Sequence, residues 1–167
     1  ELNNQIERHN QARCDGGFIT PFDAEGKAQT QLNKIAYWSA TGSGKTLLMH
    51  VNIRQYHHYL ERAGRSDTLN RTILLTPNEG LSKQHPREFA ESGMTAALFD
   101  KNQSTMFAGT SVDVIDINKL ADDMGDKTVA VSAFEGSNLV LVDEGHRGIG
   151  AAGKWLERRT ALCADGF

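Results

Sequence analysis

The segment Ala40–Thr46, with the sequence ATGSGKT, decides how the rest of the chain is interpreted. Its glycines let backbone N–H groups close around phosphate oxygens, and the helix that follows adds partial positive charge at its N-terminus. In such a loop Lys45 reaches the β- and γ-phosphates and Thr46 offers its hydroxyl to Mg²⁺. Ser39 stands where the full G-x-x-x-x-G-K-[ST] pattern has its first glycine. The alternative interpretation is a glycine-rich turn with an incidental lysine. The predicted phosphate-binding residues are Thr41, Gly42, Ser43, Gly44, Lys45 and Thr46.

Short apolar runs alternate with helical periodicity around this loop. The predicted strands are Ile35–Trp38, Thr72–Leu75, Ala96–Phe99, Val112–Ile115 and Asn138–Val142, and Val129–Val131 is ambiguous. The predicted helices are 46–62, with Leu47, Leu48, Val51, Gln55 and Tyr59 near one face, 79–92, kinked at Pro86, a short helix near 117–124, and Lys154–Ala164. Strands that are apolar throughout and alternate with helices are typical of a parallel sheet covered on both faces. We therefore predict an α/β fold over residues 35–167, preceded by a lead-in over 1–34.

A second motif, Asp143–His146 with the sequence DEGH, follows the clearest predicted strand directly. A carboxylate at the carboxyl edge of a parallel strand lies where such sheets bind ligands. In that position Asp143 holds Mg²⁺ through its water shell, and Glu144 polarises the attacking water. Asp143, Glu144 and Lys45 are therefore the predicted catalytic residues, and Thr46 and Asp143 the predicted metal site. The alternative is an acidic turn that caps a buried strand.

The two motifs together resemble motifs I and II of superfamily 2 helicases and translocases, in which the first position of the phosphate loop is relaxed. The segments Tyr37–Gly42 (YWSATG) and Val142–Gly148 (VDEGHRG) are similar to those of the restriction (Res) subunit of type III restriction enzymes and its relatives. The resemblance extends over roughly residues 18–167. It implies that the α/β domain is a RecA-like P-loop NTPase lobe, the first lobe of a motor.

The resemblance also implies a contact with nucleic acid. Thr76, Pro77 and Asn78, after the second predicted strand, are similar to motif Ia, in which backbone and hydroxyl groups hold a nucleic-acid phosphate. The alternative for these three residues is an ordinary turn that ends a strand. Residues 109–120 fall where motif Ib lies in the family. His146 is expected in the nucleotide site, where it couples this site to the rest of the motor, and no role is assigned to Arg147.

Such a family member is an ATP- and Mg²⁺-dependent motor on double-stranded DNA. Its translocation serves cleavage by a nuclease domain of the same polypeptide, and a modification (methyltransferase) subunit reads the recognition sequence. Motif III and the second motor lobe are expected beyond Phe167, so we expect the lobe to be incomplete. Two alternatives remain open at this point. One is an RNA helicase or remodeller with the same engine, and the other is a nucleotide-sensing DNA-binding module with little turnover.

Composition excludes several other classes of protein. The 167 residues are 39% hydrophobic, and the net charge of −3 argues against binding nucleic acid through bulk positive charge. The apolar runs fall far short of the ~20 residues that span a bilayer, and no basic and apolar leader opens the chain, so we expect a soluble, cytoplasmic protein.

Cys14 and Cys163 lack metal-ligand spacing and are expected as reduced thiols. His50, His57 and His58 share one predicted helix without a suitably spaced third ligand, which favours packing or exposure over a metal site.

Overall fold

The structure is a computed structural model of the chain. It describes residues 4, 7, 8, 11, 35–37, 40, 42–99, 111–121, 128–134, 136–145, 158 and 162. The chain divides into two compact units, Glu1–Ala40 and Thr41–Phe167. In the first unit the described residues between 4 and 11 are helical, whereas residues 35–37 have no regular secondary structure.

The second unit alternates helices with strands. The helices whose bounds lie within the described residues are α1 (Lys45–Arg62) and α2 (Glu79–Glu91), and residues 158 and 162 are also helical. Its strands are β1 (Arg71–Thr76), β2 (Ala96–Leu98), β3 (Val112–Asp116), β4 (Leu120–Ala121), β5 (Val129–Ala130) and β6 (Asn138–Val142). Three short 3₁₀ turns cover Ser66–Thr68, Ile117–Lys119 and Val131–Phe134. None of the helices in the described part of the chain is long and apolar enough to cross a membrane.

Four of the strands form one parallel sheet in the order β2-β3-β1-β6. Thr72 of β1 is opposite Val112 of β3 and Leu139 of β6. Strands β4 and β5 form a separate parallel pair. Because parallel strands end at one edge of their sheet, the segments that follow β1, β3 and β6 leave from the same side. The predicted α/β class with a parallel sheet is confirmed.

The central strand β1 is buried on both faces, which explains its uninterrupted apolar sequence. On one face Ile73 and Leu75 belong to a cluster that includes Phe134 and Leu162. On the other face Leu74 packs in a cluster with residues of α1, α2 and β3, namely Ile53, Phe89, Val112 and Val114. Side chains therefore cover both faces of the sheet.

Helix α1 agrees with the helix predicted over 46–62 and begins one residue earlier. Of the residues predicted to lie near one face, Leu47 and Tyr59 are each 62% exposed, and Leu48 and Val51 are also exposed. The buried residues are His50 and Ile53, three positions apart on one side of the helix. The buried side of α1 therefore includes a histidine rather than these apolar residues.

Two further predictions of local structure were wrong. The run Ile35–Trp38 was predicted as a buried strand, but Ile35 is 75% and Tyr37 53% exposed and residues 35–37 form no strand. An apolar run specifies a strand only where a neighbouring strand completes its hydrogen bonds, and Trp38 itself lies outside the described residues. The short helix predicted near 117–124 is the 3₁₀ turn Ile117–Lys119 followed by β4. The reason is that Leu120 is fully buried and pairs with Val129.

Helix α2 has a clear start and a polar buried face. Asn78 is its N-cap, and the side-chain Oδ1 accepts a hydrogen bond from the N–H of Leu81. Its buried residues are Ser82, His85 and Phe89. The helix is continuous through Pro86, which has no N–H to donate to the preceding turn. Two polar side chains thus lie on the face that α2 turns toward the interior.

Candidate nucleotide-binding site

The loop before α1 has the backbone geometry of an anion site. Gly42 and Gly44 have φ angles of 77° and 82°, in the left-handed region that favours glycine. Gly44 is the N-cap of α1 and caps it with no side-chain hydrogen bond, and the first turn of the helix contains no acidic residue. Backbone N–H groups and the partial positive charge at the start of a helix attract anions. Of the predicted phosphate-binding residues, Thr41 lies outside the described part of the chain.

Asp143 is held at the carboxyl edge of the sheet by backbone and side-chain hydrogen bonds. Its N–H donates to the carbonyl oxygen of Leu75 at 2.9 Å. Its Oδ1 accepts from the N–H of Glu144 at 2.9 Å, and its Oδ2 lies 3.2 Å from Nε2 of His85. The side chain is 25% exposed. The carboxylate is therefore oriented by the protein and still open to a ligand.

The surroundings of Asp143 keep it ionised. The hydrogen bond from His85 is the largest cause that lowers the pKa of Asp143 below its ordinary value, and burial opposes it. The N–H of Glu144 and the positive charge of Lys45 lower the same pKa further. The effect of Lys45 is the smallest of these, so His85 and Glu144 are the main causes of the lowered pKa of Asp143.

Glu144 has an unusual backbone conformation. Its φ of 53° is the one positive value found for a residue other than glycine among the described residues. Such a conformation costs of order 1–3 kcal/mol and is found preferentially at functional sites. It turns the chain sharply after β6, so that Asp143 and Glu144 do not simply continue the strand. His146 and Arg147 lie outside the described residues.

Hydrogen bonds to neighbouring elements hold the loop Thr76–Asn78 in place, and its residues differ in exposure. Thr76 is fully buried, and its hydroxyl lies 2.5 Å from Oγ of Ser82 and 3.3 Å from the carbonyl oxygen of Ile115, to which it donates. The hydroxyl of Thr76 is therefore satisfied inside the protein and is not presented to a phosphate. Asn78 is exposed at the start of α2.

Asn118 connects this loop to the end of β3. Its Nδ2 donates to the carbonyl oxygen of Pro77 at 3.1 Å and to Oδ1 of Asp116 at 2.8 Å. Asn118 belongs to the region predicted to correspond to motif Ib, of which 109 and 110 lie outside the described residues. The loops after β1 and β3 thus form one hydrogen-bonded surface at the same sheet edge as Asp143.

His85 is the residue at this site that sequence reasoning missed. It lies seven residues into α2, away from both motifs, and is only 3% exposed. Its place on one face of the helix with Ser82 and Phe89 was visible in the sequence, but nothing there indicated that this face points toward Asp143. Whether this face of α2 meets Asp143 depends on the register of the sheet, which sets the position of Asp143.

The residues at this edge suit Mg²⁺ bound together with a nucleotide. Among the described residues, no group of three or more His, Cys, Asp or Glu side chains could hold a metal ion by itself. In nucleotide sites Mg²⁺ takes one or two carboxylates and completes its shell with phosphate oxygens and water. An oriented, ionised Asp143 fits that requirement, and the predicted second ligand, Thr46, lies in the first turn of α1.

A parallel α/β domain with a glycine-rich loop before one helix and an acidic loop directly after a strand is typical of the class of P-loop nucleoside triphosphatases. The sequence matches the family described as Type III restriction enzyme, res subunit, over residues 4–160. This chain belongs to that family, whose domain is of the superfamily 2 helicase type. A search of curated proteins finds no match to the chain.

The lowered pKa of Asp143 predicts how stability depends on pH. Because the folded pKa lies below the ordinary 3.8, ionised Asp143 contributes stability that is present above pH 3.8 and is lost as the pH falls through the folded pKa. We expect the wild type to lose stability relative to Asp143→Asn as the pH falls from 6 through this range, in urea unfolding curves. Asp67→Asn, at an exposed position, is the control. A stability difference between wild type and Asp143→Asn that stays constant over this range would contradict the assignment.

Proposed function

We propose that this chain is the ATP-binding and ATP-hydrolysing motor lobe of a DNA helicase or translocase, in the restriction subunit of a type III restriction enzyme. The observation that carries the proposal is the pair of loops that the fold provides: left-handed Gly42 and Gly44 directly before α1, and Asp143 held directly after β6 by hydrogen bonds to both of its carboxylate oxygens. The first loop is suited to phosphate and the carboxylate is suited to Mg²⁺. Membership of the family supports the same function.

The phosphate loop and Asp143 have proposed roles in binding ATP and Mg²⁺. The N–H groups from Gly42 to Lys45 and the start of α1 bind the phosphates of ATP, and the ammonium of Lys45 neutralises the β- and γ-phosphates. Asp143 and the hydroxyl of Thr46 would hold Mg²⁺. When bound, Mg²⁺ neutralises charge on the phosphate oxygens during hydrolysis.

Glu144 is the proposed general base of the reaction. It directly follows Asp143, and the turn at its positive φ directs its side chain differently from a residue in a continued strand. A carboxylate in this position orients the attacking water and accepts its proton while the water attacks the γ-phosphorus. His146 completes the proposed nucleotide site and couples it to the rest of the motor.

The proposed nucleic-acid surface is the loop Thr76–Asn78. Asn78 is exposed at the N-cap of α2, where its side chain is open to a phosphate-bearing partner. Thr76 supports this loop from the interior through Ser82 and Ile115. Double-stranded DNA is the proposed track. The proposed partners are a second motor lobe and a nuclease domain of the same polypeptide, together with a modification subunit.

Lys45→Ala tests the phosphate loop. We expect the variant to fold and its affinity for a fluorescent ATP analogue to fall about 10- to 100-fold, because a charge-assisted hydrogen bond of roughly 1.5–3 kcal/mol is lost. Lys83→Ala is the matched control, since Lys83 is exposed and pairs with Glu79 on the surface of α2. Unchanged affinity in a folded Lys45→Ala protein would rule out the phosphate-loop assignment.

Glu144→Gln separates binding from hydrolysis. The amide has nearly the same shape but does not accept the proton of water, so we expect nucleotide affinity to remain and ATP turnover by the full-length protein to fall about 10²- to 10⁴-fold. Glu91→Gln, at an exposed position at the end of α2, is the control. Turnover at the wild-type rate would remove Glu144 from the reaction. Loss of nucleotide binding would show that Glu144 has a structural role instead.

Asn78→Asp tests the nucleic-acid surface without removing the helix cap. Aspartate retains the capping oxygen for Leu81 but adds a negative charge that repels a phosphate. We expect the affinity for duplex DNA to fall about tenfold, by the loss of a charge-assisted contact, with nucleotide binding unchanged. Asn78→Ser caps without added charge and is expected to have a smaller effect. Equal DNA affinity in Asn78→Asp and wild type would exclude this loop, and stimulation of turnover by RNA alone would favour an RNA helicase.

A further inference from the structure

His85 is an almost completely buried imidazole that faces two carboxylates. It is 3% exposed, and its Nε2 lies 3.2 Å from Oδ2 of Asp143. Its Nδ1 lies 3.2 Å from Oε2 of Glu88, one turn along α2, but without the geometry of a hydrogen bond. Because an ionised carboxylate only accepts hydrogen bonds, Nε2 must carry a proton and donate it to Asp143.

The position of this ring is fixed by packing. Phe89 lies beside it at a centroid distance of 6.4 Å, and Phe89 also stacks on His50 at 4.2 Å. Burial of a polar ring is costly unless a hydrogen bond compensates for the lost water. For His85 the compensating bond in the structure goes to Asp143.

We propose that His85 is a positioning residue that orients the carboxylate of Asp143 for Mg²⁺ and nucleotide. The inference rests on the proposed nucleotide function. The N–H of Glu144 fixes Oδ1 and Nε2 of His85 fixes Oδ2, so both oxygens of the carboxylate are held from the protein side. Each oxygen keeps a further lone pair for a metal ion or a metal-bound water. Groups that orient a metal ligand in this way change metal affinity or activity about 10- to 100-fold when they are removed.

Two variants of nearly equal shape isolate this hydrogen bond. His85→Gln keeps an N–H donor at about the position of Nε2, whereas His85→Met fills the same space with an unbranched apolar chain and has no donor. His50→Gln is the control for the loss of a buried imidazole, because His50 is also 3% exposed and stacks on the same Phe89 without touching Asp143. Melting temperatures in EDTA report whether each variant folds, and His85→Leu replaces His85→Met if the latter does not fold.

The main readout is metal binding rather than turnover. In the full-length protein saturated with ADP, binding of Mn²⁺ is followed by electron paramagnetic resonance. We expect His85→Met to raise the Kd for Mn²⁺ about 10- to 100-fold, His85→Gln to restore it to within about threefold, and His50→Gln to leave it unchanged. ADP affinity in EDTA is expected to be the same in all variants. In steady-state assays the Mg²⁺ concentration for half-maximal turnover rises in His85→Met more than kcat at saturating Mg²⁺ falls.

Two results would overturn the inference. One is a wild-type Kd for Mn²⁺ in folded His85→Met, which would show that Asp143 needs no donor from α2. The other is an equal loss in His85→Gln and His85→Met, which would show that the ring matters for packing rather than for its N–H. If the wild type itself does not bind ADP and Mn²⁺, the proposed function is wrong. If the wild type binds both and His85→Met equals it, the function stands and only the role of His85 fails.

Discussion

The parallel pairing of β1 with β6 is the constraint on which the candidate site depends. It is fixed at both ends, by the hydrogen bond from the N–H of Asn70 to the carbonyl oxygen of Ser137 and by that from the N–H of Asp143 to Leu75. A slip of one residue would turn every side chain of β6 to the opposite face of the sheet. It would also break the contact of Asp143 with His85 of α2. The register therefore determines which groups surround the carboxylate.

The sequence predicted the sheet and the ends of its strands well because burial on both faces leaves an unmistakable pattern. Ile73, Leu74 and Leu75 are all fully buried, so no polar residue interrupts the run. The same physics places a charged residue where the strand leaves the core, which is why Asp143 was found at the edge. The backbone conformation of the loop before α1 was equally predictable, because φ angles near 80° favour glycine and the loop contains glycine where they occur.

What the sequence could not supply was the partner of each buried polar group. Thr76 was identified through a family motif, but whether its hydroxyl faces a ligand or Ser82 depends on how α2 packs. For His50 the sequence left packing and exposure open, and it gave no indication for His85, yet both are buried in the interior. Their places are set by contacts between elements, which local periodicity does not encode. The prediction of a strand at Ile35–Trp38 failed for the converse reason. The run is apolar, but among the described residues no strand pairs with it.

The two buried histidines make the packing between α1 and α2 chemically specific. His50 stacks on Phe89 and its Nδ1 lies 2.7 Å from Oγ of Ser92. Desolvation lowers the pKa of His50 and favours the uncharged ring in this contact. Phe89 of α2 thus contacts two histidines. One is His50 of α1, the helix that begins at the phosphate loop, and the other is His85, which bonds to Asp143. Asn78 is the N-cap of the same helix, α2. The loop after β1 and the histidine that bonds to Asp143 are therefore placed by one element, and the packing of α2 against the sheet sets the position of both.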